Sequence, residues 1–139
     1  MAYSQELFDE LSFYTLAQPR AYFLHQIAID TFTLQQADEA TKPIALVFAL
    51  VGLYLHVERG YSGLRVQEIH MRLASRRKQW PAISLPEKRG ALEVSDVLAA
   101  APGADRDGAI EAWCRAVWRE WQENRNLIAV LLRDELGLS

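Results

Sequence analysis

At 139 residues with half its side chains apolar, the chain is long enough to bury a core without a covalent staple, and it reads as one domain over residues 1–139. A lone cysteine, Cys114, excludes an internal disulfide and a Cys-x-x-Cys knuckle and points to a reducing setting, expected to be the cytoplasm. The net charge of −3 is uneven, with −5 over residues 1–41, +6 over residues 59–89 and −4 over residues 90–139, and a pI near 5.6 argues against a dedicated nucleic-acid binder.

Tyr3, Ser4, Gln5 and Glu6 stand where a secretory signal would need basic and then apolar residues, so export is not expected. Ser4 suits the cap of a first helix with Leu7, Phe8, Leu11 and Tyr14 on its apolar face, and Pro19 ends it. A second helix is predicted over residues 20–37. Phe23, Ile27 and Leu34 lie on one side of it, His25, Ile29, Phe32 and Gln36 on another, and the strip of Gln26, Asp30 and Thr33 is polar.

Thr41 and Pro43 suit the entry of a third helix and Gly60 its exit. Its apolar run, residues 44–55, is about twelve residues long against the roughly twenty that span a bilayer, so it is expected at the centre of a bundle and not in a membrane. Ala45, Ala49, Gly52 and His56 form a small-residue face where a neighbouring backbone can approach, with His56 at its end. A fourth helix over residues 62–77 buries Val66, Ile69 and Leu73, sets His70 at the edge of that stripe, and carries Arg65, Arg72 and Arg76 as a separate basic row.

Residues 80–90 contain Pro81 and Pro86 and are expected as an ordered connection anchored by Trp80, Ile83 and Leu85. A short helix over residues 94–101 stops at Pro102 and Gly103. A long one follows over residues 105–136, roughly 45 Å at 1.5 Å per residue, enough to project beyond a bundle. Its buried stripe includes Ile110, Trp113, Cys114, Val117, Trp121, Ile128, Leu131 and Leu132, with Trp118 at the edge and Glu111 and Arg115 as a solvent-side pair.

The fold class that follows is all-α, a compact bundle of five or six helices with a central apolar helix and a long C-terminal one. Its three histidines, His25, His56 and His70, fall on three successive helices. Three imidazoles with one open position suit a catalytic zinc, whereas the spaced pairs that make helical metal sites specific, H-x-x-x-H and E-x-x-H, are absent. Asp30 stands about 140° around its helix from His25, so any carboxylate partner of that histidine must come from elsewhere. Glu58 and Arg59 follow His56 at a helix end, where Glu58 can line a polar mouth and Arg59 reads as a solvated turn. Asn124 faces the buried stripe, needs partners, and can pair with a histidine across the bundle. The basic row suits an anionic partner or internal complementarity with the acidic flanks. Cys114 lacks a cationic neighbour on its helix face and reads as an inert thiol.

The stretch His25, Gln26, Ile27, Ala28, Ile29, Asp30 with Gln35 and Gln36, the block Leu55, His56, Val57, Glu58, Arg59, Gly60, and residues 90–100 followed by Trp113, Val117 and Trp118 resemble three blocks of a bacterial family of small helical proteins of unknown function. The resemblance implies an all-α fold and no established reaction. Members often carry a Cys-rich segment ahead of the helices and a histidine where Gln36 stands, and this chain has neither.

The function expected is therefore a non-enzymatic binding or interaction module without a cofactor, self-associating through apolar or tryptophan-bearing surface on the last helix. One alternative is a metal-dependent enzyme distantly like the DinB-type proteins, with zinc or another divalent ion on His25, His56 and His70. Another is a small-ligand site between helices oriented by Gln26, Asp30 and Asn124.

Overall fold

Apolar side chains recur at three- and four-residue spacing along the chain, and they close into helices throughout. The computed structural model describes residues 2–18, 21–76 and 79–138, and among these it contains no strand. α1 (Ala2–Ala17) and α2 (Ala21–Gln35) come first. Ser4, expected as a cap, lies inside α1, while Pro19, Arg20, Arg77 and the Phe23 side chain fall outside the described residues. α3 (Pro43–Leu53) begins on a proline whose missing N–H costs nothing at a first turn. It buries Leu46, Val47 and every residue from Ala49 to Leu53, as its all-round apolarity requires.

α3 passes directly into a wide π-helical turn, Tyr54–Glu58. Gly60, at φ 71°, then reverses the chain so that the Tyr61 N–H reaches the Leu55 carbonyl at 3.0 Å. α4 (Gly63–Arg76) follows with Val66, Ile69 and Leu73 buried. Residues 80–93 carry no regular helix, yet Trp80, Ile83 and Leu85 pack on the core as the sequence anchors require.

α5 (Val94–Ala99) is closed by a capping box between Glu93 and Asp96. The expected single long helix is instead two, α6 (Ala104–Glu120) and α7 (Arg125–Leu136), joined by a 3-10 turn over Gln122–Asn124. Asn124 causes the break. Its amide oxygen accepts the Ser84 N–H at 3.0 Å and its amide nitrogen donates to the Ser84 carbonyl at 2.9 Å, which ties the turn to the connecting segment. The last helices therefore wrap the bundle: α6 lies against α2, α3 and α5, and α7 against α3 and α4. Trp113, Trp118 and Trp121 are all buried, so Trp118, expected at the edge of the stripe, offers no surface to a partner. α2 packs on α1, α3, α4 and α6, and α2 and α3 together form the centre of one continuous core.

Candidate functional site

The small-residue face of α3 receives a carboxylate from α2. A Cβ on Gly52 would lie 1.8 Å from Asp30 Oδ2, so only glycine leaves room for that oxygen. Asp30 Oδ1 accepts from Gln26 Nε2 at 2.9 Å, and Gln67 of α4 donates to Gln26 Oε1 at 3.1 Å. Oδ2 is buried and has no hydrogen-bond partner among the described residues. Burial pushes the Asp30 acid well above the ordinary carboxyl range, against the opposing Gln26 bond.

His70 Nε2 stands 3.8 Å from that oxygen, and its N–H donates to the Phe48 carbonyl at 2.7 Å while the ring stacks on Phe48. Burial lowers the His70 pKa despite the Phe48 bond, so a neutral imidazole faces an acid that resists ionising. Of the residues singled out by sequence, Gln26, Asp30 and His70 come together here.

The π turn separates His56 from this cluster. Its wider winding takes the side chain off the Gly52 face and onto α6, where Nε2 lies 2.8 Å from both Glu111 oxygens. Nδ1 lies 2.7 Å from the Tyr61 carbonyl, which can only accept, so Nδ1 carries a proton, and the Glu111 carboxylate favours a second one on Nε2. Burial alone would lower the His56 pKa, but the Glu111 and Tyr61 bonds outweigh it and raise it; the His56 bond in turn lowers Glu111. Glu111 is thus the carboxylate of a half-buried ion pair, and not the surface partner of Arg115 alone.

His25 stands apart again. Thr15 uses its own hydroxyl proton on the Ser12 carbonyl, so its oxygen accepts from His25 Nδ1 at 3.0 Å. The three imidazoles serve three separate contacts. Among the described residues no group of three or more His, Cys, Asp or Glu side chains is placed to share a metal ion. Asn124, expected opposite a histidine, is engaged by Ser84. Cys114 is buried and its thiol is pushed up to about 12 by burial, in keeping with an inert group.

The second product of the π turn is a cleft. Glu58 accepts from Trp118 Nε1 at 2.8 Å and from Arg125 Nε at 2.6 Å, which fixes the turn to α6 and α7. Beside it, a space of about 210 Å³ is lined by Tyr54, Leu55, Arg59, Tyr61, Leu132 and Leu138. Each wall has a local cause. Gly60 returns Tyr61 to one side. Gly137, at φ 69°, ends α7 so that the Leu138 N–H bonds the Leu132 carbonyl at 3.2 Å, bringing Leu138 to the other. Arg59 Nε and Nη2 both donate to the Tyr54 hydroxyl oxygen, at 3.3 and 3.1 Å. Arg59 has no carboxylate partner among the described residues, whereas the neighbouring Arg125 is neutralised by Glu58.

Arg59, expected in a solvated turn, is exposed at the end of the π turn; Tyr54, Tyr61 and Leu138 were not singled out from the sequence, and Glu111 was placed with Arg115 and not opposite His56. The signal that could have found the cleft was the pairing of two helix-ending glycines, Gly60 and Gly137, each followed directly by a large apolar or aromatic residue. A model of a family of unknown function, DUF5946, matches residues 4–122. No curated protein and no solved structure matches the chain.

Proposed function

The chain belongs to DUF5946, a family of unknown function, and we propose that it is a non-enzymatic binding module that takes a small anion with an apolar body in the cleft beside the π turn. The observation that carries this reading is the Arg59 guanidinium. It is held in place by the Tyr54 hydroxyl, has no carboxylate partner among the described residues, and shares the cleft with Leu55, Leu132 and Leu138. Two of its five N–H donors are used on one phenol oxygen, which leaves a fork suited to a carboxylate or phosphate. The Tyr54 hydroxyl accepts both bonds and keeps its own proton to donate.

The volume selects the size of the ligand. At about 210 Å³ the cleft is smaller than the roughly 300 Å³ where common ligand pockets begin, so its occupant is a short acid and not a dinucleotide or a drug-sized molecule. Isothermal titration with hexanoate, hexanol and hexylamine tests the reading. Saturable binding is expected for hexanoate only, and Arg59→Ala should weaken it about tenfold or more, the worth of a charge-assisted bond. Equal binding of hexanol, or an unchanged affinity in Arg59→Ala, would overturn it.

A further inference from the structure

Two helices present outward faces that combine exposed apolar side chains with charge of opposite sign. On α1, Glu6, Asp9, Glu10, Phe13 and Leu16 recur at three- and four-residue spacing and fall within about 120° of one another at 100° per residue. Phe13 is 77% exposed and Leu16 61%. On α4, Leu64 and Met71 share a strip, with Met71 74% exposed. The row of Arg65, Arg72 and Arg76 runs along its flank, and Glu68 is the one acid between them.

No ion pair among the described residues neutralises this charge. Glu6, Glu10, Arg72 and Arg76 have no ion-pair partner among the described residues, and Arg65 rests on the Tyr61 ring at 3.8 Å. Nor can the two faces meet inside one molecule. α1 packs on α2 and α5, α4 packs on α2, α3 and α7, and both turn these faces outward.

We propose that the acidic, Phe13-bearing face of α1 docks on the basic, Met71-bearing face of α4 of a second copy of this chain. Phe13 and Leu16 lie against Leu64 and Met71, and the carboxylates of α1 meet the arginine row. The charge pattern selects this pairing over the symmetric ones. α1 against α1 sets acid on acid, and α4 against α4 sets arginine on arginine, each a repulsive arrangement at an interface. The contact joins two different surfaces, so it either closes a two-fold dimer in which α1 and α4 of each copy meet α4 and α1 of the other, or continues into a ring or an open chain. It also replaces the expected seat of self-association on the last helix, whose exposed apolar residues are only Leu127 and Val130.

Sedimentation velocity of the full chain tests this with two charge-reversed variants, E6K/D9K/E10K and R65E/R72E/R76E. The wild type is expected to associate with rising concentration, and to do so less in high salt. Each variant alone should associate at least about tenfold more weakly, and an equimolar mixture of the two should recover association, because each then offers the other complementary faces. Phe13→Ser and Met71→Ser, which leave the charges intact, should each weaken wild-type association and provide a second route if a triple variant folds poorly. A wild type that stays monomeric at every concentration overturns the proposal. So does association that survives both reversals, or that is lost only on changing Leu127 and Val130.

Discussion

Replacing Gly52 by alanine puts a methyl group where Asp30 keeps an oxygen. The new Cβ would stand 1.8 Å from Oδ2 and 2.8 Å from Cγ, so the carboxyl has to retreat by about 1.5 Å to reach ordinary contact. Retreat breaks the Gln26 bond of a buried group, about 1–3 kcal/mol, and crowds a packed interior, about another 1–3 kcal/mol. Against this, alanine is better than glycine inside a helix by about 1 kcal/mol. The net expectation is a loss of about 1–5 kcal/mol, which lowers the Tm of a chain of this length by roughly 3–20 °C. Urea denaturation of wild type, Gly52→Ala, Asp30→Ala and the double variant separates the overlap from other effects. Once the carboxylate is gone the methyl has space, so the two substitutions should couple by about 1–3 kcal/mol. A Gly52→Ala protein that is more stable than wild type, or a cycle that is simply additive, would refute the placement of Asp30 over α3.

The His56–Glu111 pair sets a pH window. His56 is raised above 6.5, so its contribution is complete below that pH and fades as pH rises through the folded value; Glu111 is lowered below 4.5, so its contribution is complete above 4.5 and fades as pH falls through its folded value. The stability gap between wild type and His56→Gln should therefore be widest between those limits, and a gap that grows towards alkaline pH would contradict the pairing. Asp30 acts in the opposite sense. Its folded value is raised well above 3.8, so wild type should lose stability relative to Asp30→Asn as pH climbs from 3.8 through the folded value, and parallel pH profiles for the two proteins would count against a buried acid. Cys114, buried and pushed up to about 12, should react with a thiol reagent at neutral pH only as fast as the chain unfolds; prompt labelling of the native protein would show the site to be open.

Periodicity reached the helices that bury one stripe. Val66, Ile69 and Leu73 on α4, and Ile110, Trp113, Cys114 and Val117 on α6, are buried as their spacing requires, and the apolar run of α3 is central because no side of it suits water. Two features were out of reach for physical reasons. The π turn at Tyr54–Glu58 holds ordinary helix-forming residues, and only tertiary anchoring, Glu58 to Trp118 and Arg125, tells it from a regular turn. The break after Trp121 is likewise made by a distant partner, the Ser84 backbone on Asn124.

The candidate site shows the same division between local and long-range causes. The Gly52 groove was legible from helical phase; the burial of Asp30, which phase placed on a polar strip, and its choice as the group that fills the groove were not. His56 and Glu111 are far apart in sequence, and no spacing rule joins them. The cleft beside Arg59 was out of reach because two of its walls, Leu132 and Leu138, arrive from the end of α7.

Chemical-shift mapping of the Arg59 side-chain Nε–H and the Leu138 methyls during a hexanoate titration addresses the ligand cleft most directly. Saturable shifts confined to Arg59, Tyr61, Leu132 and Leu138, and abolished at Arg59→Ala, are the expected result. Shifts that map elsewhere on the bundle, or none at saturating acid, would contradict a binding site built on the π turn.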